Sequence, residues 1–483
     1  MRLMTLCLII YFTGLSSSKA AEKISPAVQA QLDQQLVKNS KRYGIAGQSV
    51  LLLKNNKPFY KGRYGFANVE LKVPIYDTHL YPGYSVTKLF TSVMMMQLVE
   101  NGRVDVKQSI RQYLPYLPEH WHNITVEHAL NHTSGIPRYF DIAMKQGFFL
   151  PTKKEVFLSL SENPAHFEIG TTNRYNNTNY LILSAILEAK TGKVYSELVQ
   201  SIIIKPLKLQ NTGHSSAKAI IPNMVSSYQG KDGVLRKNGD IDWPEYTFAH
   251  SGLYSTPKDL ATFMTALVSG KFVTLATLNK LWQPMKLLNG HDGHYAFGFE
   301  YSMRDGYQQV GHDGGNRVKL RHYFKTDPSR DSYTIAYLTN GNANDVWTAI
   351  LADSVMSIIN PKQFEMATLT EQFMSLLLSD EKANLEGLFN RLSQAFDGDL
   401  LAVENFILNR SYALRYGAGA KASIPAFELL TEKFPKSANA WDSLAQTWQT
   451  IGNKEKAIES YQLALAIDPN LTNASNQIAI LTK

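Results

Sequence analysis

The sequence predicts an α+β domain followed by an all-α tail. Short runs of strand character stand at both ends of residues 21–360 and enclose a helical middle, whereas only helical patterning follows Pro361. The 483 residues are 44% apolar and 19% charged, ample material for a packed core. Strands at both ends enclosing a helical middle suggest one α+β domain whose sheet is built from both chain ends.

Residues 1–20 read as a signal peptide. Arg2 supplies the positive start, residues 3–15 form an apolar run too short to span a bilayer, and Ser18 and Ala20 place small residues before a cut at Ala21. The expected location is therefore exported, periplasmic or secreted, with no stable membrane insertion after cleavage. Cys7, the single cysteine, would leave with that segment, which excludes thiol nucleophiles, thiolate zinc sites and disulfides from the mature chain.

Residues 23–45 follow as a helix, with Val28, Leu32 and Leu36 at helical spacing. Two strands, 48–54 and 58–64, are joined by Asn55-Asn56, a hairpin signal. A helix over 86–100 ends near Gly102. Helices and loops run to about residue 265, and strands return at 298–301, 308–311, 319–324 and 333–339. Residues 361–400 read as a helical linker and 401–483 as tetratricopeptide-like repeats. Trp441, Leu444, Ala445, Trp448, Gly452, Ala457, Tyr461, Ala464 and Pro469 hold that repeat's small and large positions, and a shift of 34 residues places Phe427 opposite Tyr461 and Pro435 opposite Pro469. Two repeats are too few to stand alone, so the module is expected to pack on the first domain or on a protein partner.

The net charge of +8, from 49 basic and 41 acidic residues, is dispersed. Without clustered basic residues and interleaved aromatics there is no nucleic-acid groove. Chemistry concentrates in three places. In Ser85-Val86-Thr87-Lys88 the serine and lysine share one helix face, and a desolvated lysine can take the serine's proton. Ser-x-x-Lys also occurs from Ser16, Ser215, Ser255 and Ser379, but only Ser85 follows a glycine and an aromatic and opens a long apolar helix able to bury the lysine. In Tyr175-Asn176-Asn177 the phenol could relay a proton, and Asn177 could hold both Lys88 and a substrate carbonyl. An ordinary asparagine turn is the alternative there. In Gly311-His312-Asp313-Gly314-Gly315, placed at the start of a strand, glycines would let substrate lie against the strand edge and the Gly315 amide could hold an oxyanion; a glycine-rich hairpin is the alternative.

The order Ser-x-x-Lys, Tyr-x-Asn, His-x-Gly resembles the serine β-lactamase and penicillin-binding protein superfamily, in its branch similar to class C β-lactamases. Residues 84–102 (YSVTKLFTSVMMMQLVENG), LNHTSGIP at 130–137 and HSGLYSTPKDLATF at 250–263 are similar to further landmarks of that branch. The resemblance covers residues 45–345 and implies a β-lactamase/transpeptidase-like fold, an antiparallel sheet flanked by helices plus a helical subdomain. It also implies an acyl-enzyme at Ser85, with Lys88 and Tyr175 sharing base and acid roles, an oxyanion hole from the Ser85 and Gly315 amides, and substrate contacts from Asn177, His312, Gly314 and Gly315. No metal or organic cofactor is implied. The family's third motif begins with lysine and threonine, where His312 and Asp313 stand here. The expected function is therefore a serine hydrolase acting on a small ester, amide or peptide, of esterase or D-amino-acid peptidase type. β-Lactam or D,D-peptide hydrolysis is the alternative, and a non-catalytic scaffold using the repeats the remaining one. One of Arg317, Lys319 or Arg321 could supply the missing cation for an anionic substrate group; solvated strand charges are the alternative.

Other chemistries lack their signatures. His128 and His132 are four apart with His120 and His122 nearby, but Glu127 precedes His128 instead of following it, so no zinc site is expected. There is no Gly-x-Ser-x-Gly elbow and no Walker-type phosphate loop.

Overall fold

The computed structural model describes residues 24–215, 219–231, 234–238, 243–341, 348–378 and 385–482. The signal segment and Cys7 lie outside the described residues.

Helix α1 (Pro26–Tyr43) begins where Ser25 caps it and Pro26 presets its first turn, and ends at Gly44 in the left-handed region. Strands β1 (Gly47–Lys54) and β2 (Lys57–Asn68) form a hairpin through Asn55 and Asn56 at φ 50° and 61°. Two consecutive left-handed residues make a turn that matches the right-handed twist of the strands, and asparagine tolerates that region best after glycine.

After a two-residue strand β3 (Val73–Pro74) come the helices of the middle region, among them α2 (Thr87–Glu100), α3 (Asn177–Thr191) and α4 (Pro257–Val268). The sheet is completed by β4 (Tyr295–Ala296), β5 (Phe299–Arg304), β6 (Tyr307–Asp313), β7 (Lys319–Phe324) and β8 (Tyr333–Thr339). Its order is β3-β2-β1-β8-β7-β6-β5-β4, antiparallel throughout, so β1 pairs with β8 from Gln48↔Thr339 to Lys54↔Tyr333. The expected strand over 308–311 extends two residues further, because the backbone ladder continues past Gly311: His312 pairs with Leu320 and Asp313 with Lys319. The glycine motif thus closes β6 and does not open a strand.

Period-2 alternation sends the strand residues to two faces. Val310, Leu320, Phe324, Ala336 and Leu338 pack toward α2, α3 and α4. Tyr307, Tyr323, Tyr333, Ile335 and Tyr337 pack on Leu32 and Leu36 of α1 and on the C-terminal helices. Those helices include α5 (Thr348–Ile359), α6 (Glu365–Leu377), α7 (Leu400–Gly417), α8 (Ala438–Thr450) and α9 (Lys454–Ile467). The described part of 361–400 contributes to this core: Phe364 stacks on Tyr307 at 5.1 Å, and Arg42 of α1 pairs with Glu371 of α6 at 2.8 Å, with both side chains largely buried. One apolar cluster continues from the sheet through Phe373, Phe406 and Phe427 to Leu444. Tyr461 and Phe427, 34 residues apart in sequence, are both fully buried. Among the described residues no helix is long and apolar enough to cross a membrane.

Candidate active site

The site is assembled where a short turn, a helix start and a strand end converge. Tyr81–Pro82 pairs with Leu253–Ser255, and Gly83 N–H donates to the Leu253 carbonyl at 2.5 Å, which anchors the chain just before Ser85. Tyr84 then takes φ 43°, a left-handed conformation that costs a bulky residue about 1 kcal/mol or more. The turn presents Ser85 at the foot of α2. That helix is apolar nearly all round and buried from Thr87 to Met96, so Lys88, one turn in, has no solvent-exposed surface.

Three side chains meet at Ser85. Its Oγ lies 2.6 Å from the Tyr175 hydroxyl, and Lys88 Nζ donates to it at 3.2 Å. Lys88 also donates to the His250 carbonyl at 3.1 Å and sits 4.8 Å from the centre of the Tyr175 ring. Desolvation pulls the Lys88 ammonium well below the ordinary lysine range, against the opposing pull of Glu300. Desolvation likewise drives Tyr175 well above the ordinary phenol range. Lysine is thereby disposed to be neutral and tyrosine to keep its proton. The first can accept the serine proton and the second can donate one.

A second layer of groups fixes this trio. His132, fully buried with φ 58°, lies 4.9 Å from the Tyr175 ring and accepts hydrogen bonds at Nδ1 from Asn176 N and Asn179 Nδ2, both at 3.1 Å. Burial, with Lys88 and His312 nearby, holds it well below the usual histidine range, and hence neutral. His250, whose carbonyl holds Lys88, bonds through Nε2 to the Tyr139 hydroxyl at 2.8 Å.

From the other side, β6 delivers the glycine motif. A Cβ on Gly314 would stand 2.9 Å from the Gly83 carbonyl oxygen and 3.2 Å from Ser85 N, so only glycine lets the strand end approach the serine turn this closely. Gly314 N–H is used by the Val318 carbonyl at 2.8 Å. The solvent-exposed Gly315, against the Tyr84 ring, carries the next N–H beside the cleft. His312 is buried, its ring 5.9 Å from that of Tyr175, and desolvation lowers its pKa, so it is a neutral ring, not a cation.

Asn177 opens α3. Asn176 caps α3 through a bond to Thr178 N, and Asn177 starts the helix with its Oδ1 buried and unpartnered. Lys88 makes no hydrogen bond to Asn177; its partners are Ser85 Oγ and the His250 carbonyl. Nor do all the expected cations await a substrate. Burial disfavours the Asp313 carboxylate, yet Lys319 at 2.6 Å and Arg321 at 2.9 Å hold it at about 2. Arg321 also binds Glu300 at 2.5 Å. Lys319 and Arg321 are therefore spent in a partly buried four-charge cluster in the wall of the cleft. Glu300 was not legible as a site residue from the sequence. His132 and His250 lay in recognisable landmark stretches but carried no role.

These groups open into a cleft of about 830 Å³, lined at one end by Ser85, Tyr175, Tyr295 and His312 and running along β5 to Arg304 and Arg410. Among the described residues no cluster of three or more histidines, cysteines or carboxylates could hold a metal ion.

A family model described as Beta-lactamase matches residues 29–353. The chain belongs to the beta-lactamase family. Curated relatives are more distant. Protein flp of Staphylococcus aureus (strain MW2) is 27% identical over 190 residues, 38% of either chain. Penicillin-binding protein 4* of Bacillus subtilis (strain 168) is 25% identical over 287 residues, 55% of this chain and 62% of the relative. The matches thus span only 38% and 62% of these relatives' lengths. In fold, the beta-lactamase-family chain is similar to a D-stereospecific amidohydrolase from Streptomyces sp., with a TM-score of 0.56 and 22% identity over 68% of this chain and 97% of the other.

Proposed function

We propose that this chain is a serine hydrolase that forms an acyl-enzyme at Ser85 and acts on a small ester, amide or peptide. The observation that carries the reading is the three-way contact of Ser85 with a fully buried lysine and a proton-holding phenol. In the acylation step neutral Lys88 takes the Ser85 proton as Oγ attacks the carbonyl carbon. The Ser85 and Gly315 amides face the developing oxyanion, and Tyr175 gives its proton to the departing alkoxide or amine. Proton transfer from Lys88 to Tyr175 across the collapsed intermediate restores both groups, and water then releases the acid by the same route in reverse.

A second reading, β-lactam or D,D-peptide hydrolysis, is favoured by the similarity to penicillin-binding protein 4*. Neutral His312 and anionic Asp313, where the superfamily's third motif has lysine and threonine, weigh against it, because neither attracts a β-lactam carboxylate. Residues 1–20 are read as an export signal and 438–471 as a tetratricopeptide unit open to a protein partner; both readings rest on sequence pattern.

The test is hydrolysis of a short-chain p-nitrophenyl ester by the wild type and by Ser85→Ala, together with the intact mass of the wild type quenched early. Activity and a trapped acyl adduct in the wild type alone are expected. Equal rates in the two proteins overturn the assignment of Ser85.

A further inference from the structure

The cleft does not end at the catalytic groups. All five residues from Glu300 to Arg304 of β5 line the wall; Glu300, Ser302 and Arg304 share one face of the strand, with the Glu300 end beside His312 at 3.4 Å. Four residues of strand separate Glu300 from Arg304, about 13 Å. An extended substrate of about four residues covers that distance.

At the far end the wall is completed by the C-terminal region, through Arg410 of α7. The two arginines there differ. Arg304 is committed to Asp353 at 2.9 Å and Asp305 at 3.4 Å. Arg410 has no carboxylate within ion-pair distance among the described residues. It lies 3.9 Å over the Phe406 ring and donates long bonds, 3.3 and 3.4 Å, to the Thr370 hydroxyl. Those contacts fix the plane of the guanidinium without neutralising it. Burial and the nearby Arg304 together outweigh the attraction of Asp353 and lower Arg410 to about 10, so it is charged at neutral pH and, unlike Arg304, without a carboxylate in direct contact among the described residues. A held, partly desolvated guanidinium in a cleft wall is a bidentate receptor for a carboxylate.

We propose that Arg410, beside Arg304, binds a carboxylate carried by the substrate about four residues' length from the scissile carbonyl. This rests on the hydrolase reading above, and it gives the helical tail a part in substrate selection.

The test uses the full chain and two ester series with oligoglycine spacers of increasing length. One carries a terminal carboxylate on the acyl side and the other on the alcohol side, and each ester is paired with its neutral amide-capped counterpart. The readout is the ratio of kcat/KM, charged over neutral, at each length, so a general loss of activity cancels. In one of the two series the ratio is expected to rise about tenfold near four residues and to fall at high salt. Arg410→Gln is expected to abolish the rise and Arg410→Lys to keep part of it. A ratio near one at every length in both series, or a rise that survives in Arg410→Gln, overturns the subsite. Should Arg410→Gln fail to fold, the length and salt dependence of the wild type decide alone. If no ester is hydrolysed, the hydrolase reading fails separately. Calorimetric binding of the charged and neutral oligoglycines to the same protein then reads the subsite, and equal affinities overturn it.

Discussion

Gly314→Ala separates packing from chemistry at the serine. The added methyl carbon would meet Val318 Cγ2 at 2.5 Å, the Gly83 carbonyl oxygen at 2.9 Å and Ser85 N at 3.2 Å. The valine can turn away, but the other two atoms are backbone of the turn that holds the nucleophile. Ordinary contact is regained only if the end of β6 and that turn separate by about half an ångström. The fold absorbs this at a cost of about 1–3 kcal/mol, the usual range for an overpacked site. Catalysis absorbs it less well, since Ser85 and Tyr175 stand 2.6 Å apart and Gly315 moves with the strand. The expected loss in kcat/KM is about 10- to 100-fold. Gly315→Ala is the control: its Cβ meets only Tyr84 ring carbons, from 3.0 Å, and that ring is partly exposed and able to shift. Urea unfolding and short-ester kinetics on the two variants decide the matter. If Gly314→Ala matches the wild type in both, or Gly315→Ala proves the more damaging, the close approach of β6 to the serine turn does not govern the site.

Other outcomes follow from the same geometry. Tyr175→Phe removes the 2.6 Å bond to Ser85 Oγ and should lower kcat about 100-fold or more with little change in stability, as stopped-flow acylation and thermal melts will show. Because burial depresses Lys88 and its neutral form is the base, kcat/KM should be retained above that lowered pKa and lost as pH falls through it; an activity that first appears near pH 10.5 would refute this. Asp313→Ala leaves Lys319 buried without its carboxylate, while Arg321 keeps Glu300, and should cost about 3 kcal/mol in urea unfolding. His214 and His322 are buried and each pushed down to about 4 by desolvation. The unfolded chain takes up protons below 6.5 while the native one does not, so stability is whole above 6.5 and falls by about 3 kcal/mol per histidine on going to pH 4. Unfolding free energies that do not change between pH 7.5 and 4.5 would contradict that.

Much of the sheet could be read from the chain because its strands alternate or run apolar between turn residues. Lys319–Phe324 and Tyr333–Thr339 match the expected limits, and Asn55-Asn56 makes the hairpin they signal. β6 runs past the expected 308–311 because backbone pairing continues through the charged and aromatic side chains of His312 and Asp313, where no strand pattern marks it. The meeting of Ser85, Lys88 and Tyr175 was foreseeable from their types and order. What escaped was whatever depends on backbone or on charge partners distant in sequence. A main-chain carbonyl at His250, not Asn177, holds the lysine, and Glu300 and Asp313 absorb the cations of β7. No local pattern encodes which of several asparagines faces a cavity, or which strand carboxylate a buried arginine will find.

The pairing of β1 with β8 has a consequence for biosynthesis. Gln48 finds its partner only at Thr339, so nearly three hundred further residues must be made before the sheet can close. At about 5–20 residues per second that interval is about 15–60 seconds. Throughout it the hairpin of β1 and β2 exposes Leu51, Leu52 and Leu53 on an unpaired edge, a template for association with neighbouring nascent chains. Long-range closure of this kind also slows folding from the complete chain. The N-terminal hairpin thus keeps an open edge until the last strand arrives.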